Sequence, residues 1–148
     1  MAERFYELLN QKKFYIVYNN KQEIILFRCN ENKLSSIPDT FWPFLKNCKR
    51  FSCKDNYLTV LPNTLSECIE INCSHNLLTD LPKNLYNCER LACSGNNLEY
   101  LPPLRKCTLL LSTSNNLFSD RIEDWVKIWK TRNIFYKWKQ ITRNKKIF

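Results

Sequence analysis

An asparagine returns at Asn32, Asn56, Asn76, Asn96 and Asn116, at steps of 24, 20, 20 and 20 residues, and its neighbours return with it. Two places on stands Leu34, Leu58, Leu78, Leu98 or Phe118. Three further comes Ile37, Leu61, Leu81 or Leu101, with Pro38, Pro62, Pro82 or Pro102 directly after. Leu45, Leu65, Leu85 and Leu104 follow, then Cys48, Cys68, Cys88 and Cys107, three or four residues ahead of Phe51, Ile71, Leu91 and Leu111. Self-similarity at such a period is the mark of stacked units, each too small to bury its own apolar face and therefore obliged to bury it against its neighbours.

The stretch Ile69 to Cys73 alternates apolar and polar residues, as a half-buried strand does. Strands stacked in parallel at this spacing bury one ribbon of side chains: Phe51, Ile71, Leu91 and Leu111 would point inward. The outward residues would be Arg28 and Asn30; Arg50, Ser52 and Lys54; Glu70, Asn72 and Ser74; Arg90, Ala92 and Ser94; Ser112 and Ser114. Where the chain leaves each strand its backbone groups would be buried without partners. An amide carries both a donor and an acceptor and can meet them, so Asn32 to Asn116 are expected to form a buried ladder. The Leu-Pro pairs belong on the return side, where a proline removes no sheet hydrogen bond.

The pattern C-x-x-L-x-C-x-x-N-x-L-x-x-L-P-x-x-L resembles the leucine-rich repeat family, whose core reads L-x-x-L-x-L-x-x-N-x-L, through about residues 24–120. The 20-residue length and the Leu-Pro are most similar to the short repeats of bacterial effectors and of large DNA viruses. The resemblance implies an α/β-type repeat solenoid: a short horseshoe of about five repeats with parallel strands, working by protein contact. Two departures stand out. Cysteine replaces leucine at the first and sixth places, and the first step carries four extra residues around Phe41, Trp42, Pro43 and Phe44.

The eight cysteines, Cys29, Cys48, Cys53, Cys68, Cys73, Cys88, Cys93 and Cys107, all fall on inward positions, where a thiol acts as a small hydrophobe. Cys73 with His75 nearby suggests a nucleophile and its base, but the cysteine and asparagine recur where the histidine is replaced by Asp55 and Gly95. A catalytic pair has no reason to recur without its base. The C-x4-C pairs do not read as zinc sites, because the two members would lie in different columns, and no metal or other cofactor is expected. A disulfide framework suits small secreted domains. The start MAERFYELLN lacks the apolar run of a signal peptide, and nowhere does the chain reach the length of a membrane span. A reducing intracellular compartment, the host cytoplasm, is expected, with the virion as a further location.

The ends differ from the middle, as the open ends of a stack require. Residues 1–23 read as an N-terminal cap. It comprises a short helix over Ala2 to Lys12, with Phe5, Leu8 and Leu9 on one face, and then a strand from Phe14 to Tyr18. A tight turn at Asn19-Asn20 leads from there into a second strand, Glu23 to Phe27. Residues 121–148 read as a C-terminal helical cap started by Asp120, with Ile122, Trp125 and Trp129 at helical spacing. They hold nine Lys or Arg against Glu123 and Asp124, a balance of +7 out of the chain's +9, whereas residues 26–120 hold ten against nine.

The excess charge makes the tail a candidate partner site through Trp138, Lys137, Lys139, Arg143, Lys145 and Lys146, interleaved with Phe135 and Tyr136. It suits an acidic protein groove, a nucleic acid or an anionic membrane surface; a capping helix with a solvated outer face accounts for it equally well. On the strand face, Arg28, Arg50 and Arg90 are the candidates, since contact hot spots are commonly Trp, Tyr or Arg. Phe41, Trp42 and Phe44 form a rival apolar site. One histidine, one glycine and no paired carboxylates leave no expected catalytic constellation and no small-molecule substrate. The expected function is non-catalytic: a structural or accessory protein bound to protein partners in a larger assembly. A minor capsid or virion role in a large DNA virus enters by likeness of composition alone. The alternative is an effector binding nucleic acid or a host protein through the tail.

Overall fold

The computed structural model describes residues 14–112. Six strands form one sheet in chain order. β1 (Tyr15–Tyr18) and β2 (Ile24–Arg28) run antiparallel; β3 (Arg50–Ser52), β4 (Glu70–Asn72), β5 (Arg90–Ala92) and β6 (Leu109–Leu111) follow, each parallel to the one before. The mostly parallel sheet is compatible with an α/β-type arrangement. The helical elements among the described residues are two 3-10 segments, Asp39–Leu45 and Asn63–Glu67, which begin directly after Pro38 and Pro62. Proline's fixed φ suits it to this entry position. The expected helices over Ala2 to Lys12 and after Asp120 lie outside the described residues.

Phe27, Phe51, Ile71, Leu91 and Leu110 stand opposite one another across the parallel strands. Behind them the columns Leu34/Leu58/Leu78/Leu98, Ile37/Leu61/Leu81/Leu101 and Leu45/Leu65/Leu85/Leu104 are all buried. The thiols fill two further columns. Cys29, Cys53, Cys73 and Cys93 lie just after the strands, and Cys48, Cys68, Cys88 and Cys107 just before them, where Ile24 holds the equivalent place in β2.

The register departs from expectation at β6. Leu110, not Leu111, pairs with Leu91; Leu111 turns outward and is 51% exposed. Ser112, expected outward, is buried and ends the Cys29–Cys93 column, and Ser74 is buried as well. The cause is a missing residue: Leu104 follows Pro102 by two places where Leu85 follows Pro82 by three, so Cys107 comes 19 rather than 20 after Cys88. Ser114, Asn116 and Phe118 lie outside the described residues.

The asparagines do the expected work with one exception. Asn76 Nδ2 donates to the carbonyls of Cys53 (2.9 Å) and Cys73 (3.1 Å), and its Oδ1 accepts the Leu58 N–H (3.0 Å). Asn96 repeats this one strand on, with the Cys73 and Cys93 carbonyls and the Leu78 N–H. Asn56 Oδ1 accepts two N–H groups, from Asn32 (3.1 Å) and Leu34 (2.9 Å), while its Nδ2 reaches the Cys29 and Cys53 carbonyls. These three are buried. Asn32, expected to be buried too, is half-buried and donates from Nδ2 to the Asn30 carbonyl.

At the β2 end the core is closed by rings. Phe27 lies 5.7 Å from Phe14, 5.3 Å from Phe41 and 5.7 Å from Phe51, centroid to centroid. The extra residues of the first step therefore serve packing: Phe41 and Trp42 sit against the core, and Trp42 Nε1 donates to the Ile37 carbonyl at 3.0 Å. Phe44 alone of the three is left 62% exposed. The β1–β2 connection is not the tight Asn19-Asn20 turn expected. It runs over residues 19–23 with Gln22 at φ +60°, closed by Asn19, whose Oδ1 accepts the Lys21 and Glu23 N–H groups. A side chain that bonds its own backbone two residues on substitutes for the tighter turn.

Candidate functional site

The turn out of β4 decides the fate of Cys73 and His75: two residues apart, they would share a face in a continuing strand, but the strand ends at Asn72 and the backbone turns left-handed at His75. The Cys73 thiol is buried and donates weakly to the Ala92 carbonyl at 3.5 Å. Burial, with the neighbouring thiols adding, pushes its ionisation well above the ordinary range. A nucleophile needs the thiolate, so this position holds a proton when it would have to be without one. His75 is exposed, at φ +56°, and its ring lies over Gly95, where an added Cβ would come within 2.6 Å of Nδ1. Gly95, at φ +64°, is the one position of this column whose missing side chain makes room for its neighbour's ring.

All but one of the other thiols follow suit. Burial pushes Cys29, Cys88 and Cys93 up to about 12, and raises Cys53 and Cys107. Cys48 and Cys68 form a hydrogen-bonded pair. The bond to Cys48, with burial adding, raises Cys68, while the bond from Cys68 holds Cys48 down. The Cys68 thiol also points at the Cys48 carbonyl, 3.0 Å away. All eight are free thiols, and among the described residues no group of three or more His, Cys, Asp or Glu is placed to hold a metal ion. Nor, among those residues, is any helix long and apolar enough to cross a membrane.

The outward face of the sheet is where chemistry is left over. Its first row reads Leu26, Arg50, Glu70, Arg90 and Leu109, and its second Arg28, Ser52, Asn72, Ala92 and Leu111. The three expected arginines are thus not one cluster. Arg90 donates to Glu70 Oε2 at 2.9 Å and is spoken for, whereas Arg28 and Arg50 have no ion pair or hydrogen bond from their side chains to any described residue. Lys54 pairs with Asp55 (3.2 Å) and Lys49 with Glu67 (2.9 Å), solvent-accessible pairs that add little stability.

Four residues of this face were not singled out from sequence. Asn30 Oδ1 accepts both the Ser52 hydroxyl (2.7 Å) and the Lys54 N–H (3.0 Å), and Asn72 Oδ1 accepts the Ser74 N–H (3.2 Å). With their oxygens so engaged, both amides keep Nδ2 donors that have no partner among the described residues. Leu109 and Leu111 are 47% and 51% exposed at the β6 end. The one-residue shift at Cys107 was the only signal for them. The tail candidates Trp138, Lys137, Lys139, Arg143, Lys145 and Lys146 lie outside the described residues.

No protein-family model matches the chain, and no curated protein matches its sequence.

Proposed function

We propose that the chain is a short leucine-rich-repeat solenoid acting without catalysis, through protein–protein contact, as a structural or accessory component of a larger assembly. The observation that carries this reading is the repeated register. Phe27, Phe51, Ile71, Leu91 and Leu110 align across parallel strands, with buried asparagine amides tying successive strands together. Such stacking consumes the thiols and amides in packing and hydrogen bonding, and leaves an outward face of arginines, hydroxyls and leucines. A minor capsid or virion place in a large DNA virus, with the host cytoplasm as the reducing compartment that keeps the thiols free, completes the proposal on the strength of compositional likeness.

A second reading, contact with nucleic acid or a host protein through residues 121–148, is favoured by their +7 balance. Affinity capture of the full chain from producing cells, with mass spectrometry of purified particles, tests the first reading. A defined protein partner at fixed stoichiometry is expected. A chain ending at Thr131 that loses this partner while staying folded moves the contact to the tail. Binding to duplex DNA that weakens steeply between about 50 and 200 mM salt, with a slope near −0.9 per phosphate neutralised, replaces protein by nucleic acid.

A further inference from the structure

Resting on that reading, we propose that the outward sheet face docks an acidic, acceptor-rich peptide segment of a partner protein. Its carboxylates lie on Arg28 and Arg50, and its apolar side chains lie on Leu109 and Leu111. The argument is an imbalance of donors over acceptors. Arg28 on β2 and Arg50 on β3 stand two residues apart along adjacent strands, about 8 Å between their Cα atoms at ordinary sheet spacing. That lets the two side chains converge on one carboxylate or two neighbouring ones. Asn30, two residues after Arg28, and Asn72 further along add Nδ2 donors that have no partner among the described residues, while Ser52, Lys54 and Ser74 hold their oxygens. The one carboxylate in these rows, Glu70, already serves Arg90. A ligand must therefore bring the acceptors.

The same face narrows the ligand. From β3 to β6 is three strand spacings, about 14 Å, so the ligand carries its acidic and apolar groups that far apart, about four extended residues. A nucleic acid would have to lay phosphates across Glu70, whereas a peptide supplies separate carboxylates and neutral carbonyls between them. The chain's own tail, at +7, is repelled from the arginine end. A second copy docked about a two-fold axis running along the strands through β4 would set Arg28 on Leu111 and Arg50 against Arg90, leaving both cations without new acceptors.

The test uses the full-length chain and fluorescence anisotropy with a labelled peptide, Asp-Glu-Asp-Ser-Gly-Ser-Leu-Phe. Its controls are the same peptide with lysine for each acid and a single-stranded dT12. The acidic peptide is expected to bind and the lysine peptide not to. Arg28→Ala/Arg50→Ala should weaken binding at least tenfold, Leu109→Ser/Leu111→Ser at least threefold, and the exposed pair Lys21→Ala/Lys83→Ala less than twofold. Arg28→Glu/Arg50→Glu should transfer the preference to the lysine peptide; melting curves confirm that each variant is folded. An arginine pair without effect, equal losses in the Lys21/Lys83 control, or a dT12 that binds more tightly through the same arginines would each overturn the site. If the full chain still holds a protein partner that ignores the arginine pair, this site is wrong and the protein-contact reading stands. If only dT12 binds, both fall.

Discussion

Replacing Asn76 by alanine removes one amide from the middle of the ladder, and the hydrogen bonds say what is stranded. The Cys53 carbonyl keeps Asn56, and the Cys73 carbonyl keeps Asn96, so neither acceptor is orphaned. The Leu58 N–H, however, has Asn76 Oδ1 as its acceptor inside the core. An orphaned buried N–H costs about 1 to 3 kcal/mol, and each hydrogen bond lost from an acceptor that keeps another partner costs about 0.5 to 1.5. The expected destabilisation is about 2 to 6 kcal/mol. Asn56→Ala should cost more, because its oxygen takes two N–H groups, from Asn32 and Leu34. His75→Ala, one residue away but exposed, should cost about 0.5 kcal/mol or less. Urea unfolding followed by circular dichroism measures all three, with constant m-values as the check that only stability changed. Equal losses for Asn76→Ala and His75→Ala would refute the reasoning, since they would mean that the amide carries no structural burden beyond that of a surface side chain.

Cys73→Ala leaves a small void and should lower stability by about 1 to 3 kcal/mol while leaving partner binding intact, by analogy with other core truncations; unchanged melting with lost binding would restore the reactive-cysteine reading. Gly95→Ala forces a side chain onto a left-handed backbone and against the His75 ring, and should cost about 1 to 2 kcal/mol. In a His75→Ala background part of that penalty should vanish, and strict additivity in the double-mutant cycle would show that the ring is not the obstacle. Cys29, Cys88 and Cys93 ionise near 12 when folded against about 9 when free, so the folded state holds more protons in that window. Their contribution is full below pH 9 and is lost as pH rises from 9 toward 12. The melting temperature should therefore hold to about pH 8.5 and then fall, less steeply in Cys93→Ala; a wild-type chain flat to pH 11 would contradict the burial of these thiols.

Much of the architecture was legible because its residues repeat: a thiol, amide or leucine returning at a fixed step has to solve the same packing problem each time. What escaped lay where the period breaks. The run Leu109–Leu111 is apolar at every place, so alternation could not choose between Leu110 and Leu111, and the asparagine at 116 favoured the wrong one. Counted on from Cys107 at the shorter step, the sequence position equivalent to Asn96 is Asn115. The half-buried state of Asn32 and the wider connection through Gln22 escaped because both lie before the regular 20-residue spacing begins, where no recurring residue fixes the local geometry. Among the site residues, Arg90 was placed on the right face. Only the register revealed that Glu70 stands beside it and leaves Arg28 and Arg50 as the unpaired cations.

The asparagine amides all reach the same way. Asn56, Asn76 and Asn96 each complete the strand before their own, at Leu34, Leu58 and Leu78 respectively, and none completes the strand after it. The ladder therefore has a direction, from the carboxyl end back toward the amino end. During synthesis every newly emerged loop waits, with an open N–H, for the amide some twenty residues behind it on the ribosome. Assembly in chain order would finish each step one strand late, and a chain cut short would carry its defect at its last loop rather than spread through the whole.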